Sequence, residues 1–200
     1  MKCVLIFAVA VLGLGAAPAN ATSPSYWCSF TEPFVSLFTG ASSTVFSNSG
    51  AVERVAKPQF SPAPGGGILS GTLKDGGTYK IKVSAGKGSD GMSDFDYPLT
   101  GVLTGAFNAT GGCLKLPPGT ALRQIVGVAP DDNLVLRVGP SAKARAIDKI
   151  KLDYVWAIPG PARNGWQRVV VLVWPKGEQG MISTRTGWVN RKFLSAKVWR

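Results

Sequence analysis

Beyond its first two dozen residues the chain never holds apolar positions at the i, i+3, i+4, i+7 spacing of an amphipathic helix. Short, turn-bounded strand patterns recur instead. In "TYKIKVS", Tyr79, Ile81 and Val83 fall on one face and Lys80, Lys82 and Ser84 on the other. "TVFSNSG" and "LTGVLTGAF" are further strand patterns in the first half. "RQIVGVA", "NLVLRVG", "DYVWAI", "WQRVVVLVW", "TGWVN" and "KVW" follow in the second. The run "VVVLVW" does not alternate; it is short and β-branched, as a strand buried on both faces is. "FSPAPGGGI" reads as a surface loop. The pattern predicts an all-β protein whose two halves each close as a small barrel-like domain, because small sheets hide their edges by closing.

The first residues carry a different pattern. "MK" is a short positive start, "CVLIFAVAVLGLG" an apolar run, and Ala19 and Ala21 are small residues at the spacing of a signal-peptidase site. This predicts a signal peptide over residues 1–21, since the run is shorter than the ~20 apolar residues of a comfortable membrane span. No later stretch reads as a span. The double proline in "LKLPPGTALRQ" sets a domain boundary, giving a first domain over 22–116 and a second over 117–200.

Charge changes at the same place. From Thr22 to Leu116 seven Lys and Arg face six acids; from Pro117 to Arg200 fourteen face five, so almost the whole formal net charge of +11 lies in the second half. That excess speaks to anionic partners, not to fold. With the signal removed two cysteines remain, Cys28 and Cys113. In an oxidising compartment they are expected to form a disulfide that closes the first domain; two separate buried thiols are the alternative.

The chain has no histidine. That removes the commonest general base and metal ligand, excludes a Ser-His-Asp triad, and leaves no Cys-His zinc set. No phosphate loop or dinucleotide fingerprint is present. Asp90, Asp94 and Asp96 in "GSDGMSDFDYP" would offer oxygen ligands to calcium, but the spacing is not that of an EF-hand loop; the alternative is a polar turn in which Asp and Ser side chains bond their own backbone. Met92 within it reads as a packing residue, and Glu32 in "TEPF" as an acceptor for a nearby turn. No enzyme activity, cofactor or metal is expected.

"NLVLRVGPSAKARAI", "NGWQRVVV" and "TGWVNRKFL" occur in that order, and the chain from Thr120 to Ser195 resembles a bacterial SH3-like (SH3b) domain. In this reading Arg137 precedes a turn at Gly139 and Pro140. Gly165 and Gly187 permit sharp turns into strands beginning at Trp166 and Trp188. Val189, Phe193 and Leu194 complete the core while Arg191 and Lys192 face water. The stretch between the two tryptophans, with "WPKGEQGMISTR", is longer than the family's and reads as an extended hairpin loop. The first half, from Tyr26 to Leu116, resembles an uncharacterised bacterial envelope family that pairs a Thr-Glu-Pro-Phe-Trp motif with Asp-Gly-Met-Ser-Asp-x-x-Tyr-Pro. Val35 stands where that family has Trp.

These resemblances imply a secreted or periplasmic, non-catalytic binding module of the cell envelope. The expected partner is peptidoglycan, another envelope polymer or an envelope protein, met through a basic aromatic face. Lys143, Arg145, Lys149, Lys151, Arg168 and Arg185 would supply charge, and Trp166 and Trp188 apolar contact. The alternative is an interaction or inhibitor protein acting on an envelope enzyme through its first domain. Nucleic acid is not an expected partner in vivo, because export removes the chain from it.

Overall fold

The computed structural model describes residues 24–30, 35–39, 43–48, 51–56, 58–150, 154–177 and 179–198. The expected signal segment, Glu32 and Lys151 lie outside the described residues. Among the described residues seventeen strands and one 3-10 turn make up the regular structure, and no α-helix occurs. No helix there is long and apolar enough to cross a membrane.

The first nine strands are β1 (Ser25–Phe30), β2 (Val35–Thr39), β3 (Ser43–Asn48), β4 (Ala51–Ala56), β5 (Gln59–Ala63), β6 (Gly66–Thr72), β7 (Thr78–Ser89), β8 (Phe95–Gly105) and β9 (Ala109–Leu116). They form one antiparallel sheet in the order β4-β3-β2-β1-β9-β8-β7-β6-β5. Then come β10 (Ala121–Ile125), β11 (Leu134–Arg137), β12 (Ala146–Ile150), β13 (Tyr154–Ala157), β14 (Trp166–Val173), β15 (Gly180–Met181), β16 (Ser183–Asn190) and β17 (Leu194–Val198), with the 3-10 turn Arg191–Phe193 before the last. All but β15 form the second sheet, in the order β12-β11-β16-β14-β13-β10-β17.

Alternation places the first core. Tyr79, Ile81 and Val83 on β7 are buried, and Lys80 and Lys82 between them are exposed. They pack with Phe30, Leu37, Leu69 and Leu103 around the Cys28–Cys113 disulfide. The two cysteines face each other in register on β1 and β9. Their bond closes a separation of 85 residues, worth about 4–5 kcal/mol by chain entropy. A buried disulfide of this kind persists in oxidising compartments.

In the second sheet every strand sends apolar side chains to one cluster. Leu134, Leu136, Ile150, Val155, Val169, Val171, Val189 and Leu194 are its buried members, and Ile125 and Phe193 pack against it. The sheet is therefore rolled around its own core. β14 is buried on both faces, as its unbroken apolar run predicts. Val169 and Val171 point into that core, while Val170 and Leu172 join a different cluster with Trp27, Phe38, Tyr97, Leu114 and Trp156. That third cluster draws on both sheets. Trp156 is fully buried, in edge contact with Trp27 at 6.1 Å and with Tyr154 at 5.7 Å.

Three expectations are corrected. "FSPAPGGGI" is not a loop but the hairpin of β5 and β6, turning at Pro64-Gly65, with Gly65 at a φ of 71°. Pro62 is tolerated because β5 is an edge strand, where a missing N–H breaks no ladder. Gly187 does not introduce a strand: it lies inside β16, and a Cβ there would stand 2.7 Å from Leu136 Cγ and 2.8 Å from the Arg137 carbonyl oxygen. The glycine lets β11 approach. The long segment after Trp174 does not end in a free hairpin tip. β15 pairs in parallel with β8 of the first sheet, at Phe95 and Asp96. Ile182, fully buried, donates its N–H to the Asp96 carbonyl at 2.8 Å, and Trp174 meets the Phe95 ring edge-on at 5.4 Å. The segment is a clasp between the sheets.

Candidate binding grooves

The Asp-Gly-Met-Ser-Asp stretch is a self-bonded turn. The Asp90 carboxylate accepts the backbone N–H of Met92 at 3.1 Å and of Ser93 at 2.9 Å, the Ser93 hydroxyl at 2.9 Å and the Tyr97 hydroxyl at 3.0 Å. Partial burial raises the Asp90 pKa, but these hydrogen bonds outweigh it and hold the carboxyl below its ordinary range. Burial pushes the Tyr97 hydroxyl far above its usual range, and the Asp90 charge beside it adds to that. Asp96 pairs with Lys87 at 2.7 Å, and Asp94 is exposed. Among the described residues no group of three or more His, Cys, Asp or Glu is placed to hold a metal ion. Met92 is 69% exposed, so it is not a packing residue; the turn projects it away from the sheet.

The basic and aromatic candidates of the second half fall in four places. Lys143, Arg145 and Lys149 are exposed on the hairpin of β11 and β12. Arg185 is tied to Asp148 by an ion pair of 2.7 Å. Trp166 and Trp188 line different grooves. The first groove, of about 510 Å³, runs between the loop before β11 and the 3-10 turn. Trp166, buried at 9% exposure, and Phe193 give it an aromatic floor. Arg137, Lys192, Asn133, Asn190 and Asp132 bring polar groups to its lining. Arg137 is anchored by a hydrogen bond to the Ala144 carbonyl at 2.8 Å, and Asn190 caps the 3-10 turn by accepting the Lys192 N–H at 3.1 Å. Arg191 and Lys192 are exposed, and Val189 and Leu194 buried, as expected. Lys192 Nζ lies 4.6 Å from the centre of the Phe193 ring.

The second groove holds Trp188 and Arg168, which face each other in register on β16 and β14. A third residue, absent from the sequence reading, completes it: the Arg163 guanidinium lies 5.8 Å from the Trp188 ring centre. It is placed there by a two-residue turn. Asn164 and Gly165 have φ of 51° and 78°, and Arg163 and Trp166 exchange backbone hydrogen bonds of 2.9 Å in both directions. An Asn-Gly turn of this kind is a strong local hairpin signal and was legible in "RNGW". The side chains that line the first groove come from segments far apart in the chain, and only the register brings Arg137 and Lys192 to the same opening.

No protein-family model, curated protein or solved structure matches the chain.

Proposed function

We propose that the protein is a non-catalytic binding module of the bacterial cell envelope, exported to the periplasm or beyond. Its SH3-like second half would grip peptidoglycan, another envelope polymer or an envelope protein. The observation that carries this reading is the first groove: an aromatic floor of Trp166 and Phe193 in the cationic half, rimmed by Arg137, Lys192, two asparagines and Asp132. Such a groove offers stacking area, donors for carboxylates and amides for peptide bonds. The seven strands rolled around one core support the SH3-like assignment. The absence of histidine and the self-bonded Asp90 turn support binding without catalysis. The buried Cys28–Cys113 disulfide, the apolar leader and the charge excess of the second half support work outside the cytoplasm on an anionic surface.

The test is co-sedimentation of the purified mature chain with isolated sacculi at low and moderate salt. The expected result is pelleting that weakens with salt and falls several-fold in Lys192→Glu, which reverses a charge at the groove without touching the core. A chain that stays in the supernatant at both salts rules out direct wall binding.

A further inference from the structure

We infer that the second groove, beside Trp188, is a separate site for a terminal carboxylate on a short apolar chain, such as the free C-terminus of a peptide. The groove has a volume of about 420 Å³. Among the described residues its charged lining is Arg163 and Arg168 alone, with no acid. Both guanidiniums are exposed, and neither has a carboxylate within ion-pair distance among the described residues. Two unpaired guanidiniums converging on one opening suit an oxyanion, since each presents a planar fork of donors.

The remaining walls decide which anion fits. Pro159, Pro161 and Val138 are apolar and bound the groove beside the Trp188 indole. The one side-chain amide in the lining, Gln167, is already committed: its Nε2 donates to the Ile158 carbonyl at 2.9 Å and to the Arg168 carbonyl at 3.2 Å. A neutral sugar needs acceptors as well as donors, and among the lining side chains only Gln167 Oε1 and the Thr186 hydroxyl offer them. A carboxylate with an alkyl group next to it satisfies both guanidiniums and lays its apolar part on the prolines and the indole. The site is distinct from the first groove, whose aromatic floor is Trp166 and whose lining includes Asp132. It stands or falls independently of wall binding there.

The test is titration of the full mature chain, uniformly 15N-labelled, with acetyl-D-Ala-D-Ala, acetyl-L-Ala-L-Ala, the amide of each, and N-acetylglucosamine. The readout is the Trp188 indole N–H resonance, assigned with Trp188→Phe. The expected result is a saturable shift with at least one free acid and none with the amides or the sugar. Arg163→Ala and Arg168→Ala each weaken binding about five-fold or more, and the double variant does not saturate. These arginines are exposed, so the variants leave the fold and the remaining indole resonances in place. Preference for the D-form assigns the ligand to wall stem peptides, and for the L-form to protein C-termini. Equal binding of acid and amide, a shift with the sugar alone, or no movement of the Trp188 resonance with any compound overturns the assignment.

Discussion

The two sheets reach a closed core by different means. The first is wide, nearly neutral in its half of the sequence, and fastened by a covalent bond between neighbouring strands β1 and β9. The second carries the charge excess, has no cross-link, and rolls seven short strands around one cluster. The outer side of β14 and Trp156 lie in a cluster to which the first sheet contributes Trp27, Phe38, Tyr97, Leu114 and Leu116 and the second half Leu122, Ile182 and Tyr154. The cationic half thus shares part of its apolar burial with the stapled half, and loosening the stapled half is expected to reach it through this cluster.

The largest expected effect follows from that shared burial. Replacing both sulfurs, Cys28→Ala with Cys113→Ala, lowers the free energy of unfolding by about 4–5 kcal/mol. Urea denaturation followed by far-UV dichroism and tryptophan fluorescence should show one shared transition. Two separated transitions, with the second half unmoved, would break the comparison. Trp156→Ala comes next, at about 3–5 kcal/mol for emptying a fully buried aromatic site. The loss should be seen equally by amide exchange in both sheets.

Much of this division was legible in the sequence, and the reasons are local. The alternation in "TYKIKVS" fixes which side of β7 is inside, because a strand has a period of two. The unbroken "VVVLVW" announces a strand with no wet face. What stayed hidden depends on register. β15 is two residues long, and nothing in "QGM" signals a parallel pairing with a strand some eighty positions earlier. The proline content of "FSPAPGGGI" concealed a hairpin, because sequence does not say that β5 is an edge. That Trp166 and Trp188 serve separate grooves follows from the pairing of β14 with β16, which no spacing rule displays. Arg163 stands beside an Asn-Gly turn that the sequence displays, but only the pairing of β14 with β16 sets it against Trp188.

The clasp gives the next step down. Ile182→Ala removes a fully buried side chain that bonds across to Asp96 through its backbone, at about 2–4 kcal/mol. Its signature is faster amide exchange at Phe95 and Asp96 than at β7. Equal exchange throughout would mean the clasp does not join the sheets.

A smaller effect is expected from acid. The folded-state pKa of Asp90 lies below its ordinary 3.8, so its contribution is complete above that value and is lost as pH falls below it, through the folded pKa. Asp90→Asn should remove this acid-limb loss, measured as the slope of stability against pH, and should loosen the turn carrying Met92. The smallest effect belongs to the Arg185–Asp148 pair. It is partly exposed, and Arg185→Ala should cost no more than about 1 kcal/mol, read from the same urea midpoints.

The proposed grip of the cationic half on an anionic envelope polymer, without alteration of that polymer, is tested in a single incubation. The intact mature chain is held with purified sacculi through a series of rising salt steps, and both the bound protein and any soluble wall fragments are quantified. Binding without turnover gives protein in the pellet at low salt, stepwise release as salt rises, and no fragments above the buffer control. Protein that never enters the pellet, or fragments that accumulate with time, would contradict it.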